Sequence, residues 1–331
     1  MALSAAVSAL ALAASGCVTV HGELEVVPAA TKGEAARVLA EFTKAYNAGD
    51  KAYDPELSAG RVTGALGQIN QASLRAKGKN TPGGNPRHAP LELTDARFLI
   101  PAKAGWPRWF LADTDSNRDV DDDPRQDTRW FVAFVKSGPD AQWKAAYLSI
   151  LTPDEIPEFS EDAQGNAVPV ANGAKDLAVA PGRLSEEYAG FLGEGGELFA
   201  DGQHTSSWRA QREENADRPG RTTQWVDQPL DKGDFAPLAL RTEDGGAMVL
   251  FATRHFEKQT AARGVPLSVR PEVGALLKGD IKRAVTLERV SNQVVTVPGP
   301  EGSGSGGKVV FLNRIEGLTG AVGGSACGGP A

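Results

Sequence analysis

Cysteine is nearly missing from this 331-residue chain: Cys17 and Cys327 stand near the two ends with none between them. A framework of intrachain disulfides is excluded by that count. Histidine is scarce too. His21, His88, His204 and His255 are dispersed with no partner at ligand spacing, so zinc has no support and each reads as a structural or surface residue. No Lys or Arg precedes Lys32, and beyond residue 17 no apolar run approaches membrane-spanning length. Lys and Arg total 35 against 42 Asp and Glu, a net charge of -7, which opposes a grip on phosphate backbones and leaves nucleic acid out as a partner.

With 41% hydrophobic and 23% charged residues, the composition is that of a folded globular chain. The length calls for two domains, each able to bury its own core. Residues 2 to 14 are Ala, Leu, Ser and Val only, long enough for a signal-peptide core and too short to span as a helix. Ala14-Ser15-Gly16-Cys17 follows at once. This stretch resembles the bacterial lipobox, in which small side chains precede a cysteine whose sulfur takes the lipid. It departs in having Ala14 where Leu is usual, and the missing positive charge places the true start upstream of Met1. The resemblance implies acylation of Cys17, with palmitate-type chains, and a protein held on the outer face of the cytoplasmic membrane. Cys327, in a Gly-rich stretch, is then a free thiol on a flexible tail, residues 323–331.

Residues 18–30 read as a tether. Thr31-Lys32-Gly33-Glu34 has the form of a capping box. Val38, Leu39, Phe42, Ala45 and Tyr46 recur at helical spacing, and Asn47-Ala48-Gly49 reads as a stop. Leu57, Val62, Leu66, Ile69 and Leu74 predict more helix. After Pro86 the period changes to short β-branched and aromatic runs at 91–100, 109–112, 129–136 and 144–151, the mark of an antiparallel meander. Residues 160–182, rich in Gly, Ala, Asn and Pro, read as a linker between domains 31–159 and 183–322. The second half predicts helices over 184–199 and 206–215, then strands at 238–242, 248–256, 284–290, 293–297 and 308–315. The expected fold class is α+β, as a tandem duplication of a helices-then-meander unit.

The segment from Val38 to Asp50, closing on Tyr46-Asn47-Ala48-Gly49-Asp50, resembles the opening helix of nuclear-transport-factor-like and polyketide-cyclase-like cone domains. From Gly16-Cys17-Val18-Thr19-Val20-His21-Gly22-Glu23 onward, the whole chain is similar to uncharacterised lipoproteins of high-GC Gram-positive (actinobacterial) bacteria. The resemblance implies a cone in each half with a pocket between sheet and helices, and it carries over no activity.

Two motifs come near to a ligand site. Gly302 to Lys308 matches seven positions of a phosphate-binding loop, but Val309 replaces the Ser or Thr that would hold Mg²⁺, and strand continues where a helix should begin. A hairpin loop is the better reading. Asp113, Asp115, Asn117, Asp119 and Asp121 place oxygen ligands at alternate positions as in a Ca²⁺ loop. Against Ca²⁺, Arg118 stands where Gly makes the turn and Pro124 where a Glu closes the shell, so an acidic hairpin tip is the competing reading. Trp106, Trp109, Trp130 and Trp143 read as core or pocket lining. Asp95 and Asp127 are carboxylates near them with no specific pattern, and no catalytic residue is assigned. The expectation is therefore a lipid-anchored, non-catalytic module for an unknown ligand or envelope protein. The alternatives are a polyketide-cyclase-like enzyme with an acid and base in an apolar cone, or a structural spacer.

Overall fold

Helix α1 (Lys32–Ala52) starts where the Thr31 hydroxyl accepts the Glu34 backbone N–H at 3.1 Å, as the capping pattern predicts. It does not stop at Gly49. The Asn47 side chain bonds both the N–H and the C=O of Leu91, at 2.7 and 2.8 Å, and so pins α1 to the chain entering the first sheet. Gly49 is buried inside the helix because a Cβ there would lie 3.1 Å from Leu74 of a neighbouring helix, so the glycine serves close packing. A short α2 (Glu56–Ala59) and α3 (Gly64–Asn80) follow.

The computed structural model describes residues 25–120, 122–123, 126–300 and 306–324. After α3 come β2 (Leu93–Leu99), β4 (Arg108–Ser116), β5 (Arg129–Lys136) and β6 (Lys144–Leu151), an antiparallel sheet in the order β2-β4-β5-β6. A two-residue pair, β1 (Val27–Pro28) with β3 (Ala102–Lys103), ties the start of the described chain to this half. The second half carries α4 (Leu184–Glu194), α5 (Ser206–Ala216), β7 (Asp217–Arg218), β8 (Arg221–Leu230), β9 (Leu238–Arg241), β10 (Ala247–Ala261), α6 (Pro271–Leu276), β11 (Leu277–Lys278), β12 (Ala284–Val297) and β13 (Val310–Gly324). Its long strands run β8-β10-β12-β13, with the short β9 also on β10. The fold is α+β, with a four-stranded sheet in the first half and a seven-stranded one in the second.

Three differences from the sequence reading have physical reasons. β12 is one strand, where Ser291-Asn292 reads as a break, because those polar side chains are buried and bonded. β8 is missed because its alternating residues are mostly polar or half-exposed. β4 runs through Asp113 to Ser116, which the Ca²⁺ reading places in a loop: Asp113 pairs across the sheet with Phe131 and Asp115 with Arg129.

The central strand β5 and the first half of β10 are buried on both faces, which explains runs such as Trp130-Phe131-Val132-Ala133-Phe134. On β5, Trp130, Val132 and Phe134 pack under α1 against Val38, Leu39 and Phe42. Phe131 and Ala133 point the other way, into a core shared with Met248, Leu250 and Ala252 of β10 and Val290 and Val294 of β12. The opposite face of β10, with Val249 and Phe251, packs under α4 against Leu184, Tyr188 and Phe191. Each half thus has a core of its own, and a third core joins them. Residues 160–182 are stitched to both: Ala167 N–H bonds Ile100 O at 3.2 Å, and Val170 N–H bonds Ala239 O at 2.9 Å.

β6 is the edge of the first sheet, and its outward backbone groups need partners. The Arg61 and Thr63 backbone bonds Ala145, each at 2.9 Å, and Asn292 on β12 serves Leu148: its Nδ2 donates to Leu148 O at 2.8 Å and its Oδ1 accepts from Leu148 N at 3.3 Å. Nearby, the Tyr147 hydroxyl donates to Phe235 O at 2.7 Å. Gly64 has φ +55°, and a Cβ there would sit 2.3 Å from the Asp234 carbonyl oxygen of the other half.

Asn292→Ala leaves both Leu148 backbone groups buried without partners and should cost about 3 kcal/mol in urea unfolding. Gly64→Ala adds backbone strain and a clash at the same junction, so a loss of about 2 kcal/mol or more is expected. Loss of one half's unfolding transition before the other, in either variant, would identify this junction as what couples them.

Candidate functional site

One face of the second sheet changes character along its strands. At one end Val249, Phe251, Val295 and Val297 pack beneath α4. Further along, the same alternating positions become Thr253 and His255 on β10, Ser291 and Gln293 on β12, and Asp227 on β8. Antiparallel pairing sets Asp227 opposite His255 and Thr253 opposite Ser291, so residues far apart in sequence share one patch. α5 covers it with Trp208 and Arg212.

All five polar side chains belong to one bonded array. His255 Nδ1–H donates to Asp227 Oδ1 at 2.6 Å. That bond fixes the tautomer and leaves Nε2 to accept from the Ser291 hydroxyl at 2.7 Å, with the Thr253 hydroxyl at 3.0 Å. The Gln293 amide donates to Ser291 Oγ at 2.6 Å and to Thr253 Oγ1 at 2.8 Å. Arg212 grips Asp227 with both terminal nitrogens, at 2.7 and 2.9 Å. Its guanidinium lies 4.0 Å from the Trp208 ring centroid, and Arg314 of β13 lies 3.6 Å from that ring. Trp208 also meets His255 edge-on at 5.2 Å.

Burial pushes the His255 imidazole below its ordinary range, although the Asp227 carboxylate pulls the other way. The ring is therefore neutral at pH 7. Burial also acts on Asp227, but the bonds from His255 and Arg212 outweigh it and hold the carboxyl below the usual carboxylate range.

Ser291, His255 and Asp227 have the connectivity of a nucleophile, a base and an orienting carboxylate. Access is the missing element: Ser291 is 0% exposed and His255 1%. A cleft of about 230 Å³ lined by Leu192, Arg209, Arg212, Glu213, Trp225 and Asp227 reaches the Arg212–Asp227 pair but is not lined by Ser291. What the array does in this state is hold α5 onto the sheet.

The sequence-selected residues lie elsewhere. Asp113 is buried and clamped by Arg97 at 2.6 Å and by Arg129. Asp115 accepts the Ser116 N–H at 2.7 Å, and Asn117 bonds Glu92 N at 3.0 Å. Asp119 accepts the Thr128 N–H at 2.8 Å and its hydroxyl at 2.9 Å. Asp95 caps the outer side of Arg129 at 3.1 Å. Among the described residues no group of three or more His, Cys, Asp or Glu side chains is arranged to hold a metal ion. Asp121, Cys17, Cys327 and most of the Gly302 to Lys308 loop lie outside the described residues. Trp109, Trp130 and Trp143 are core residues, whereas Trp106 is half-exposed beside cations. Sequence reasoning passed over His255 because its partners come from other strands. The one available signal was polar residues at period two inside apolar runs, Thr253/His255 and Ser291/Gln293.

Arg212→Ala strands the buried Asp227 carboxylate and should cost about 3–5 kcal/mol in thermal or urea unfolding. His255 is protonated more readily in the unfolded chain than in the folded one, so its contribution is complete above about pH 6.5 and is lost as pH falls. Over the range between the ordinary histidine value and its lowered folded one, it gives a stability that falls with falling pH. Unfolding curves of His255→Asn should lack that share of the slope; an unchanged slope would contradict a neutral buried His255.

The family described as a domain of unknown function (DUF8094) matches residues 26–323, nearly the whole described fold. The chain is 52% identical over 322 residues to an uncharacterized lipoprotein of Streptomyces coelicolor, covering 97% of this chain and 94% of that protein. An uncharacterized lipoprotein of Streptomyces avermitilis is also 52% identical, over 96% of this chain and 93% of its own length. A second Streptomyces coelicolor lipoprotein is 26% identical over 62% of this chain and 59% of its own. The chain belongs to the DUF8094 family.

Proposed function

We propose that this is a lipid-anchored protein of the outer face of the cytoplasmic membrane, acylated on Cys17, whose folded part is a non-catalytic module for an envelope partner or ligand. The observation that carries the anchor is near-full-length 52% identity to proteins named as lipoproteins, together with Ala14-Ser15-Gly16-Cys17 at the end of an apolar stretch. No helix among the described residues is long and apolar enough to cross a membrane, and in this reading attachment rests on Cys17.

The filled interiors support binding over catalysis. Phe42, Phe110, Phe134 and Trp143 stack within the first half, and Tyr188, Phe199, Phe251 and Phe311 within the second, in the place a cone pocket would occupy. The open clefts, of about 230 to 360 Å³, sit at or below the low end for small-molecule sites. A protein partner is therefore favoured over a small ligand. The matching strand orders, β2-β4-β5-β6 and β8-β10-β12-β13, support a tandem duplication of one cone-like unit, residues 31–159 and 183–322. Catalysis is the second reading, and the Ser291–His255–Asp227 relay favours it.

Expression in an actinobacterial host from the native upstream sequence should yield a diacylglycerol-sized mass gain and recovery in the detergent phase, both lost in Cys17→Ala. Unmodified protein in the aqueous phase would remove the anchor. For catalysis, hydrolysis of p-nitrophenyl acetate should proceed at the same rate with wild type and Ser291→Ala. A Ser291-dependent rate would establish a hydrolase and end the non-catalytic reading.

A further inference from the structure

The chain enters its fold at one place, and that place carries an unpaired cationic cluster. β1 pairs with β3 through Val27 opposite Lys103 and Pro28 opposite Ala102. Lys103 Nζ donates to the Pro107 carbonyl at 2.7 Å, which brings the Trp106-Pro107 turn against this pair. Trp106 is half-exposed, with the Arg108 guanidinium 4.7 Å and the Lys136 ammonium 5.5 Å from its ring centroid. Arg108 and Lys136 face each other across β4 and β5. Among the described residues no carboxylate forms an ion pair with Lys103, Arg108 or Lys136. Beside β1, Val26 is an apolar side chain 65% exposed. In a chain of net charge -7, what marks this place is the gathering of three cations, two of them over the ring of one accessible indole.

We propose that this face, centred on Trp106, Arg108, Lys136 and Lys103, docks onto anionic phospholipid headgroups. The inference rests on the Cys17 anchor for its geometry. Val27 is ten Cα-to-Cα steps from Cys17, so the anchored residue lies at most about 36 Å from β1 however the intervening chain runs. A folded body of roughly 300 residues has a radius of gyration near 19 Å and a diameter of about 50 Å. The tether is thus shorter than the molecule is wide, and the β1–β3 face is held toward the bilayer. The cluster's chemistry suits what it meets there. Tryptophan partitions to the headgroup region, and Lys and Arg are drawn to anionic lipid. Docking would also fix which side of the module faces away from the membrane, toward a partner.

The test uses unlipidated chain from residue 18 to 331, which contains every described residue, in vesicle co-sedimentation. Binding is expected to vesicles of phosphatidylglycerol and phosphatidylcholine at 50 mM salt, with loss at 0.5 M salt and none to phosphatidylcholine alone. The double variant Arg108→Gln/Lys136→Gln should lose about 30-fold in partitioning, at roughly fivefold per cation. The equally charged control Arg75→Gln/Lys282→Gln, altered at exposed positions elsewhere, should match wild type. Absence of binding to the anionic vesicles, or equal losses in both double variants, would overturn the docking face. Because this chain carries no lipid, that failure leaves the Cys17 anchor standing; unmodified Cys17 in the mass experiment removes the anchor without touching vesicle affinity.

Discussion

The exposed edge of the first sheet is the constraint around which the two halves are arranged. β6 would present unpaired backbone groups to solvent or to a second chain; here those of Ala145 are taken by the backbone of Arg61 and Thr63, and those of Leu148 by a side chain, Asn292 of β12. That arrangement requires the two sheets to lie face to face, so Phe131 and Ala133 of one and Met248, Leu250, Val290 and Val294 of the other fill a single core. Once the inner faces are committed, each sheet needs a cover on its outer face, and α1 and α4 with α5 provide it. The covering helices fill with apolar side chains the place where an open cone would hold a ligand.

The polar array beneath α5 follows from the same layering. A sheet buried on both faces has no cheap place for Asp227, His255 or Arg212, and each is tolerated because another member satisfies it. Burial outweighs the carboxylate in setting the His255 proton, and paired donors outweigh burial in setting that of Asp227. The result is a neutral ring and an ionised carboxylate held by a guanidinium, with Trp208 packed over the assembly. It has the connectivity of a catalytic relay but serves as a strut.

Local signals in the chain carried far. Thr31 and Glu34 announced the start of α1, and the spacing of Val38, Leu39 and Phe42 announced the face it buries. The aromatic runs at 129–136 and 144–151 marked two strands to the residue or nearly so. Signals failed where a residue's role lay in another element. Gly49 reads as a helix stop and serves Leu74; Ser291-Asn292 reads as a break between strands and serves His255 and Leu148. The alternate acidic residues from Asp113 read as a cation loop, yet the first of them is spent on Arg97 and Arg129, brought from β2 and β5.

By itself, then, the sequence determined the α+β class, most elements, the acidic balance and the lipobox-like start, because each depends on residues within a few positions of one another. Only the tertiary structure decided that the halves share a core, that residues 160–182 are bonded to both, and that His255 joins Asp227 and Ser291 out of reach of solvent. Those facts depend on strand register and on the packing of one sheet against another. No local pattern encodes which residue of a distant strand will stand opposite, and a buried polar side chain looks in sequence the same as an exposed one.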